Sequence, residues 1–243
     1  MTRSFRERIA KAAAAKKSPV VIALDPPGGR RRLSEFAAKT ICAVEQHICA
    51  VKMNFHLILP LSAAEMSRIN RLVHSFGLQS IADIKLNDIE NTNKVAVNHL
   101  VKMGFDAVIA NPFIGRGGLG ALVQEAHQLD AGVIALVYMS HPGAKEGFGL
   151  EVGGRGLYRE FLERAGGAGA DGIVVGATQL EILKQVSGRL PVYSPGIGAQ
   201  GGDAGQALRS GADYLIIGRS IVEAKQPGRV AKAIQDDILS VRK

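Results

Sequence analysis

The chain has 243 residues, of which 47% are hydrophobic, and its formal net charge is +8. A chain of this length can bury one sizeable core, and α/β barrels commonly occupy about this length as one domain. No apolar run reaches the roughly 20 residues that a membrane-spanning helix requires, and the basic, alanine-rich segment 1–17 lacks the apolar core of a signal sequence. We therefore expect one domain over residues 1–243, in a cytoplasmic protein with no membrane partner.

The positive charge favours anionic ligands in general, although a basic solvated surface would give the same total. Basic residues are dense only at 16–17 and 30–32, and 5% aromatic residues with no tryptophan offer little for base stacking. We expect no nucleic-acid partner. Cys42 and Cys49 lie beside no partner cysteines or ligand-spaced histidines, which indicates neither a disulfide framework nor a zinc site. We expect both cysteines to be small buried side chains.

Strand-like and helix-like segments alternate along the whole chain. The strand-like segments are 20–24, 49–54, 80–85, 107–110, 132–138, 172–175, 192–194 and 214–217. The helix-like segments are 33–47, 63–76, 92–103, 118–129, 156–165, 178–186 and 203–209. Eight such strands favour a closed (β/α)8 TIM barrel in the α/β class, and an open doubly wound sheet is the alternative fold.

Polar residues follow or end several of these strands. Asp25 follows the first strand, Lys52 lies on the second, Asp83 and Lys85 end the third, and Ser140 follows the fifth. In a (β/α)8 barrel the functional groups gather at the C-terminal ends of the strands. We therefore expect four charges, two of each sign, to converge at one barrel mouth.

The third strand carries the most informative pattern. Side chains two apart on a strand share a face, so Asp83 and Lys85 point the same way while the apolar residues between and beside them point the other way. This pair, with Asp88 just beyond the strand, is interpretable as a structural ion-pair network that plugs the barrel. It is equally what catalysis by electrostatics requires, because carboxylates can hold a lysine protonated and ready to donate its proton.

A glycine-rich segment follows the seventh strand and reads Ser-Pro-Gly-Ile-Gly-Ala-Gln-Gly-Gly-Asp at 194–203. Glycines let backbone amides approach an anion, and Gly218 and Arg219 after the eighth strand add a guanidinium suited to phosphate oxygens. Loops after strands seven and eight are the usual phosphate site of this barrel, so we predict phosphate binding here. The glycine-rich stretch 141–156 predicts a lid or binding loop, or else a mobile surface loop without a role.

Residues 83–92 resemble the Asp-x-Lys-x-x-Asp-Ile-x-x-Thr signature of the orotidine 5'-phosphate decarboxylase family. Asp25, the Met-Ser-His-Pro-Gly-Ala stretch at 139–144, the loop 195–203 and the Gly-Arg-Ser-Ile stretch at 218–221 agree with that family in the same order. The resemblance covers about residues 18–225 and is nearest to the compact archaeal form. The Asp-x-Lys-x-x-Asp core is shared with related sugar-phosphate decarboxylases, whereas the loops after strands five and seven are more specific. The loop 25–32 is richer in proline and arginine than the family pattern.

The resemblance implies a role for each matching residue. Lys85 would protonate C6 of the pyrimidine as CO₂ leaves, and Asp83 would lie by the substrate carboxylate. Asp88 and Thr92 would reach into the site of a second subunit, which implies a homodimer. The expected substrate contacts to the ribose are Asp25 and Lys52, together with Thr92 from the second subunit. Ser140 would contact the pyrimidine, and Gln200, Gly218 and Arg219 the phosphate, with Pro195, Gly196, Gly198, Gly201 and Gly202 shaping the phosphate loop.

The implied reaction converts orotidine 5'-phosphate to uridine 5'-phosphate in UMP synthesis, with no metal and no organic cofactor. The rival enzyme is a metal-dependent β-keto sugar-phosphate decarboxylase or aldol-type synthase of the same superfamily, which a glutamate near the second or third strand would support. The alternative of another class is a catalytically idle barrel that binds a nucleotide or RNA.

Overall fold

The computed structural model describes residues 3–28 and 31–241, and within them eight parallel strands close into a barrel. The order around the barrel is β1, β10, β9, β8, β5, β4, β3, β2. These strands are β1 (Val20–Ala23), β2 (Ala50–Asn54), β3 (Gln79–Leu86), β4 (Ala107–Ala110), β5 (Gly132–Tyr138), β8 (Gly172–Val175), β9 (Val192–Pro195) and β10 (Tyr214–Ile217), while β6 (Glu151–Val152) and β7 (Arg155–Gly156) form a separate hairpin. The predicted (β/α)8 barrel is confirmed, and the open sheet is excluded because β1 pairs with both β2 and β10.

Helices cover the outside of the barrel between the strands. They are α1 (Phe5–Lys16), α2 (Leu33–Val44), α3 (Phe55–Ile58), α4 (Ala63–Ser75), α5 (Glu90–Lys102), α6 (Gly115–Gln128), α7 (Leu157–Ala168), α8 (Leu180–Val186), α9 (Ala204–Arg209), α10 (Arg219–Val222) and α11 (Pro227–Val241). The seven predicted helices correspond to α2 and α4 to α9. The sequence patterns did not predict α1, α3, α10, α11 or the β6–β7 hairpin.

Helix α1 lies against the N-terminal end of the barrel. Ser4 and Glu7 form a capping box, in which each side chain accepts a hydrogen bond from the other's backbone amide. The helix buries Phe5, and a Cβ added to Gly132 at the start of β5 would lie 2.5 Å from the Phe5 ring. Only glycine leaves room for this ring, so the pairing of Phe5 with Gly132 fixes where α1 sits. The Ser-x-x-Glu spacing at 4–7 was the available sign of this helix.

Three aspartates link neighbouring strands at the same end of the barrel. Each precedes one strand, and its carboxylate accepts a hydrogen bond from the amide of the first or second residue of the strand beside it. The bonds join Asp106 to Ser80, Asp171 to Val133 and Asp213 to Val192, at 2.8, 2.9 and 2.8 Å. Each aspartate follows a helix-ending glycine with positive φ two residues earlier, at Gly104, Gly169 and Gly211. At β1 the Ser18 hydroxyl accepts from Val20 and donates to the His47 carbonyl, so the strands start as four linked pairs.

The cysteines differ in environment. Cys49 is buried, and burial raises the pKa of its thiol to about 12. Cys42 is exposed, so the expectation that both cysteines are buried is wrong for it. The apolar face of α2 contains Ala37, Ile41 and Val44, and Cys42 lies off that face. Across the described part of the chain, no helix has both the length and the apolarity to cross a membrane.

Candidate active site

A cavity of about 250 Å³ opens at the C-terminal ends of the barrel strands. The predicted site residues that line it are Asp25, Lys52, Asp83, Lys85, Ser140, Pro195, Gly196, Gln200, Gly218 and Arg219. They come from the ends of β1, β2, β3, β5, β9 and β10 or the loops that follow. The barrel therefore brings together residues that are far apart in sequence.

A charge array occupies one wall of this cavity. Asp83 accepts a hydrogen bond from Lys52 at Oδ2, over 2.6 Å, and another from Lys85 at Oδ1, over 2.7 Å. Lys52 and Asp83 are buried, with exposed fractions of 5% and 7%, whereas the Lys85 side chain is 37% exposed. A structural plug would enclose all its charges, but here the Lys85 ammonium remains accessible from the cavity. The geometry favours the functional interpretation.

The carboxylate of Asp83 is held in its charged form. Burial raises its pKa, but the charges and hydrogen bonds of Lys52 and Lys85 outweigh burial and keep the pKa below its usual value. The array therefore holds an ammonium group at the cavity wall.

The backbone at Lys85 is not that of a regular strand. The pairing of β3 with β4 shifts register between Ala82 and Leu86, and Lys85 adopts the left-handed conformation with φ of 46°. This conformation is unfavourable for a residue with a side chain and is found at functional sites. The prediction that Asp83 and Lys85 lie together holds, but a bulge, and not simple alternation, directs the Lys85 ammonium onto Asp83.

Asp25 lines the cavity and has a carboxylate oxygen without a hydrogen-bond partner. Its Oδ1 atom is buried without a hydrogen-bond partner, 4.0 Å from the Lys52 ammonium. A buried carboxylate oxygen without a donor is costly, so this atom is suited to accept a hydrogen bond from a ligand. In the loop that follows, Pro26 is buried and Arg32 has a positive φ, while Gly29 and Arg30 lie outside the described residues.

Several backbone amides of the loop after β9 are already hydrogen-bonded within the loop. Gly198, Gly201 and Gly202 donate their amides to carbonyls within the loop, and none of the three lines the cavity. These bonds shape the loop, and the three amides are not offered to an anion. Gly196 has φ of 99°, and a Cβ there would lie 2.9 Å from the Ser140 Cβ. Gly196 therefore lets the loops after β5 and β9 meet.

Asp88 and Thr92 lie outside the cavity. Both are exposed, and the Asp88 carboxylate accepts a hydrogen bond from the Ile89 amide at the start of α5. The structure thus separates them from Lys85, although Asp88 is only three residues further along the chain.

The apolar part of the cavity wall was not identified from the sequence. Its residues are Ala23, Ile109, Leu136, Met139, Val174, Ile197 and Ile216. Most lie on strands that are apolar on both faces, so alternation could not distinguish side chains facing the cavity from those facing the helices. His141 and Ala199 also line the cavity, and their positions next to Ser140 and Gln200 were the available signal. Among residues 3–28 and 31–241, no group of three or more His, Cys, Asp or Glu is placed to hold a metal ion.

Comparison with known proteins assigns this architecture to a family. The model of the orotidine 5'-phosphate decarboxylase / HUMPS family matches residues 18–234. Orotidine 5'-phosphate decarboxylase of Pyrococcus horikoshii is 37% identical over 226 residues, which are 91% of this chain and 100% of that protein. The Methanocaldococcus jannaschii orotidine 5'-monophosphate decarboxylase, solved with the inhibitor BMP, is similar with a TM-score of 0.80 and 29% identity, over 90% of this chain and 97% of that one.

Leishmania donovani UMP synthase is also similar in structure, with a TM-score of 0.88 and 28% identity. The similarity covers 99% of this chain and 57% of the UMP synthase chain.

Proposed function

Because the chain belongs to the orotidine 5'-phosphate decarboxylase / HUMPS family, we propose that it decarboxylates orotidine 5'-phosphate to uridine 5'-phosphate. The observation that carries the proposal is the array of Lys52, Asp83 and Lys85, which is open to a cavity also lined by Gln200 and Arg219. The cavity thus joins a protonated lysine to a set of groups suited to a phosphate.

The charge array suits the chemistry of this decarboxylation. When the bond between C6 and the carboxylate breaks, CO₂ leaves and an electron pair remains at C6 in the plane of the pyrimidine. The ring π-system cannot delocalise that pair, so nearby positive charge must stabilise it. The Lys85 ammonium supplies the charge and then the proton that forms the new C6–H bond. Asp83 holds the ammonium in place, and the proposal needs no metal or organic cofactor.

The remaining cavity residues suit the other parts of the substrate. The unpaired Oδ1 of Asp25 accepts a hydrogen bond from a ribose hydroxyl beside Lys52, and Ser140 contacts the pyrimidine. Gln200 and Arg219, with the backbone at Gly218, bind the phosphate. These contacts are remote from C6, and they hold the reacting carbon against Lys85.

We further propose that the active form is a homodimer in which Asp88 and Thr92 complete the site of the other subunit. Both residues are exposed, so a partner can reach them. Large apolar side chains are exposed around them, after or near β2, β3 and β4, which are neighbouring strands. These side chains are Phe55, Leu59, Ile89, Val95 and Phe113. A second copy covering this surface would remove apolar area from water.

The activity test uses purified protein treated with EDTA. The wild type should consume orotidine 5'-phosphate, followed by the ultraviolet change on loss of the conjugated carboxylate, and Lys85→Ala should abolish the reaction. Lys39→Ala, which removes an exposed lysine on α2, is the matched control and should keep full activity. A wild type that is inert until a divalent metal is added would support the rival sugar-phosphate chemistry instead.

The shared site is tested by mixing two inactive variants. Lys85→Ala and Asp88→Ala subunits form hybrid dimers in which one site contains both an intact Lys85 and an intact Asp88. After subunit exchange, an equal mixture should regain about a quarter of the wild-type activity, because half of the dimers are hybrids with one good site each. Exchange without any recovery would show that each site is built within one subunit.

A further inference from the structure

The side chain of Asn93 holds the backbone of Asp88. Asn93 lies in the first turns of α5 with none of its surface exposed. Its Nδ2 donates to the Asp88 carbonyl over 2.6 Å, and its Oδ1 accepts from the Asp88 amide over 3.3 Å. One buried side chain therefore binds both polar backbone groups of one exposed residue.

The other contacts of the segment that carries Asp88 are local to the start of α5, where the Ile89 carbonyl accepts from the Asn93 amide over 3.0 Å and Glu90 pairs with Lys94. Residues 87–90 are exposed, and Ile89 keeps 72% of its surface accessible. The Asp88 carboxylate uses Oδ1 to accept from the Ile89 amide over 2.7 Å. Within the described residues its Oδ2 has no hydrogen-bond partner, so one carboxylate oxygen remains for a group outside this subunit.

We propose that Asn93 is a positioning residue that presents the Asp88 carboxylate to the active site of the neighbouring subunit. This inference rests on the shared site proposed above. A carboxylate that works across a subunit interface must be held to within about 0.5 Å, and an exposed turn does not provide that precision. The two hydrogen bonds from Asn93 fix the backbone orientation of Asp88 relative to α5, and so set the direction of its side chain. Asn93 touches neither the cavity nor the Asp88 carboxylate and acts only through the backbone.

The test separates a defect in this subunit's own site from a defect in its partner's site. Asn93→Ala should lower kcat by about 10- to 100-fold, as expected when a group near the reacting atoms is misplaced. KM should change by less than about threefold, because Asp25, Lys52, Gln200 and Arg219, which bind the ribose and the phosphate, lie on other elements. Mixing Asn93→Ala with Lys85→Ala should restore about a quarter of the wild-type activity, since one site of each hybrid pairs an intact Lys85 with a correctly held Asp88.

Two further variants guard against a general folding defect. Asn93→Asp keeps the acceptor for the Asp88 amide but loses the donor to its carbonyl, and a carboxylate is tolerated near a helix N-terminus. It should show the same loss of kcat and the same recovery on mixing. Asn70→Ala is the matched control, because Asn70 is 1% exposed and donates to the Met103 carbonyl over 2.8 Å, away from the cavity. It should lower stability and leave kcat unchanged.

The inference is overturned if folded Asn93→Ala or Asn93→Asp keeps the wild-type kcat. It is also overturned if their lost activity does not return with Lys85→Ala, under conditions in which Asp88→Ala with Lys85→Ala does recover. If neither mixture recovers, the shared site itself fails, and the role of Asn93 fails with it.

Discussion

Replacing Asp83 by asparagine removes the charge that two lysines share while keeping the shape of the side chain. Lys85 is partly exposed and can be hydrated in the cavity, but Lys52 is 5% exposed and loses the carboxylate at 2.6 Å. The nearest remaining carboxylate oxygen is Oδ1 of Asp25, at 4.0 Å. The variant therefore leaves a buried ammonium without close compensation.

The expected loss in the free energy of unfolding is about 3–5 kcal/mol, the usual cost of removing one partner of a buried ion pair. In a chain of this size about 1 kcal/mol shifts Tm by roughly 2–4 °C, so Asp83→Asn should lower Tm by about 10 °C at pH 7. The matched control is Asp236→Asn, because Asp236 accepts from Lys232 over the same 2.6 Å but both side chains are more than half exposed. That control should lose less than about 1 kcal/mol.

The dependence of Tm on pH tests whether the charge of Asp83 causes this loss of stability. The pKa of Asp83 is lowered in the folded state, so its contribution to stability is complete above the unfolded pKa, near 3.9, and is lost as pH falls through the folded value. The difference in Tm between wild type and Asp83→Asn should therefore narrow below about pH 4. Thermal unfolding followed by circular dichroism measures both effects. Equal Tm changes for Asp83→Asn and Asp236→Asn at pH 7 would refute this reasoning.

Other predictions concern the backbone and a histidine. Lys85→Gly should be more stable to urea than Lys85→Ala by about 1 kcal/mol, because glycine adopts the positive φ of that position without strain; a more stable alanine variant would contradict this. The hydrogen bond to Asp106 raises the pKa of His74 and outweighs the effect of burial. The free energy of unfolding of the wild type should therefore exceed that of His74→Gln most below about pH 6.5, and the excess should disappear as pH rises. A difference in stability that does not depend on pH would refute this. Gly211→Ala should lower Tm more than Gly188→Ala. Both glycines have positive φ, but only at Gly211 would an added Cβ lie 2.5 Å from the Cβ of Ser187. Equal losses of Tm would show that the contact with Ser187 is unimportant.

The barrel could be predicted because its strands are short, apolar and regularly spaced, and because charges occur only near their ends. The position of the charge array followed from the same rule, since parallel strands all end at one mouth. The sequence could not indicate the left-handed backbone at Lys85, because alternation assumes a regular strand. Nor could it show that the amides of Gly198 and Gly201 donate to carbonyls of their own loop. A glycine-rich sequence is the same whether its amides are bonded within the loop or free to bind an anion.

The role assigned to Asn93 was also out of reach of the sequence. An asparagine in the first turns of a helix usually contacts nearby backbone, and its spacing from Asp88 does not reveal which groups it binds. Helix α1 was missed for a different reason, because its basic, alanine-rich composition has no strong apolar stripe. Its position depends on the space above Gly132, which only the folded barrel creates.

The links at the N-terminal end of the barrel divide it into four quarters, each made of two adjacent parallel strands joined by a side-chain hydrogen bond. A break in the chain between quarters leaves every such bond inside one fragment, whereas a break within a quarter separates the two strands that the bond joins. The quarter is therefore the natural unit for circular permutation or for reassembly from fragments. Three of the four quarters carry the same Gly-x-Asp spacing before their second strand, at the end of the barrel opposite the cavity.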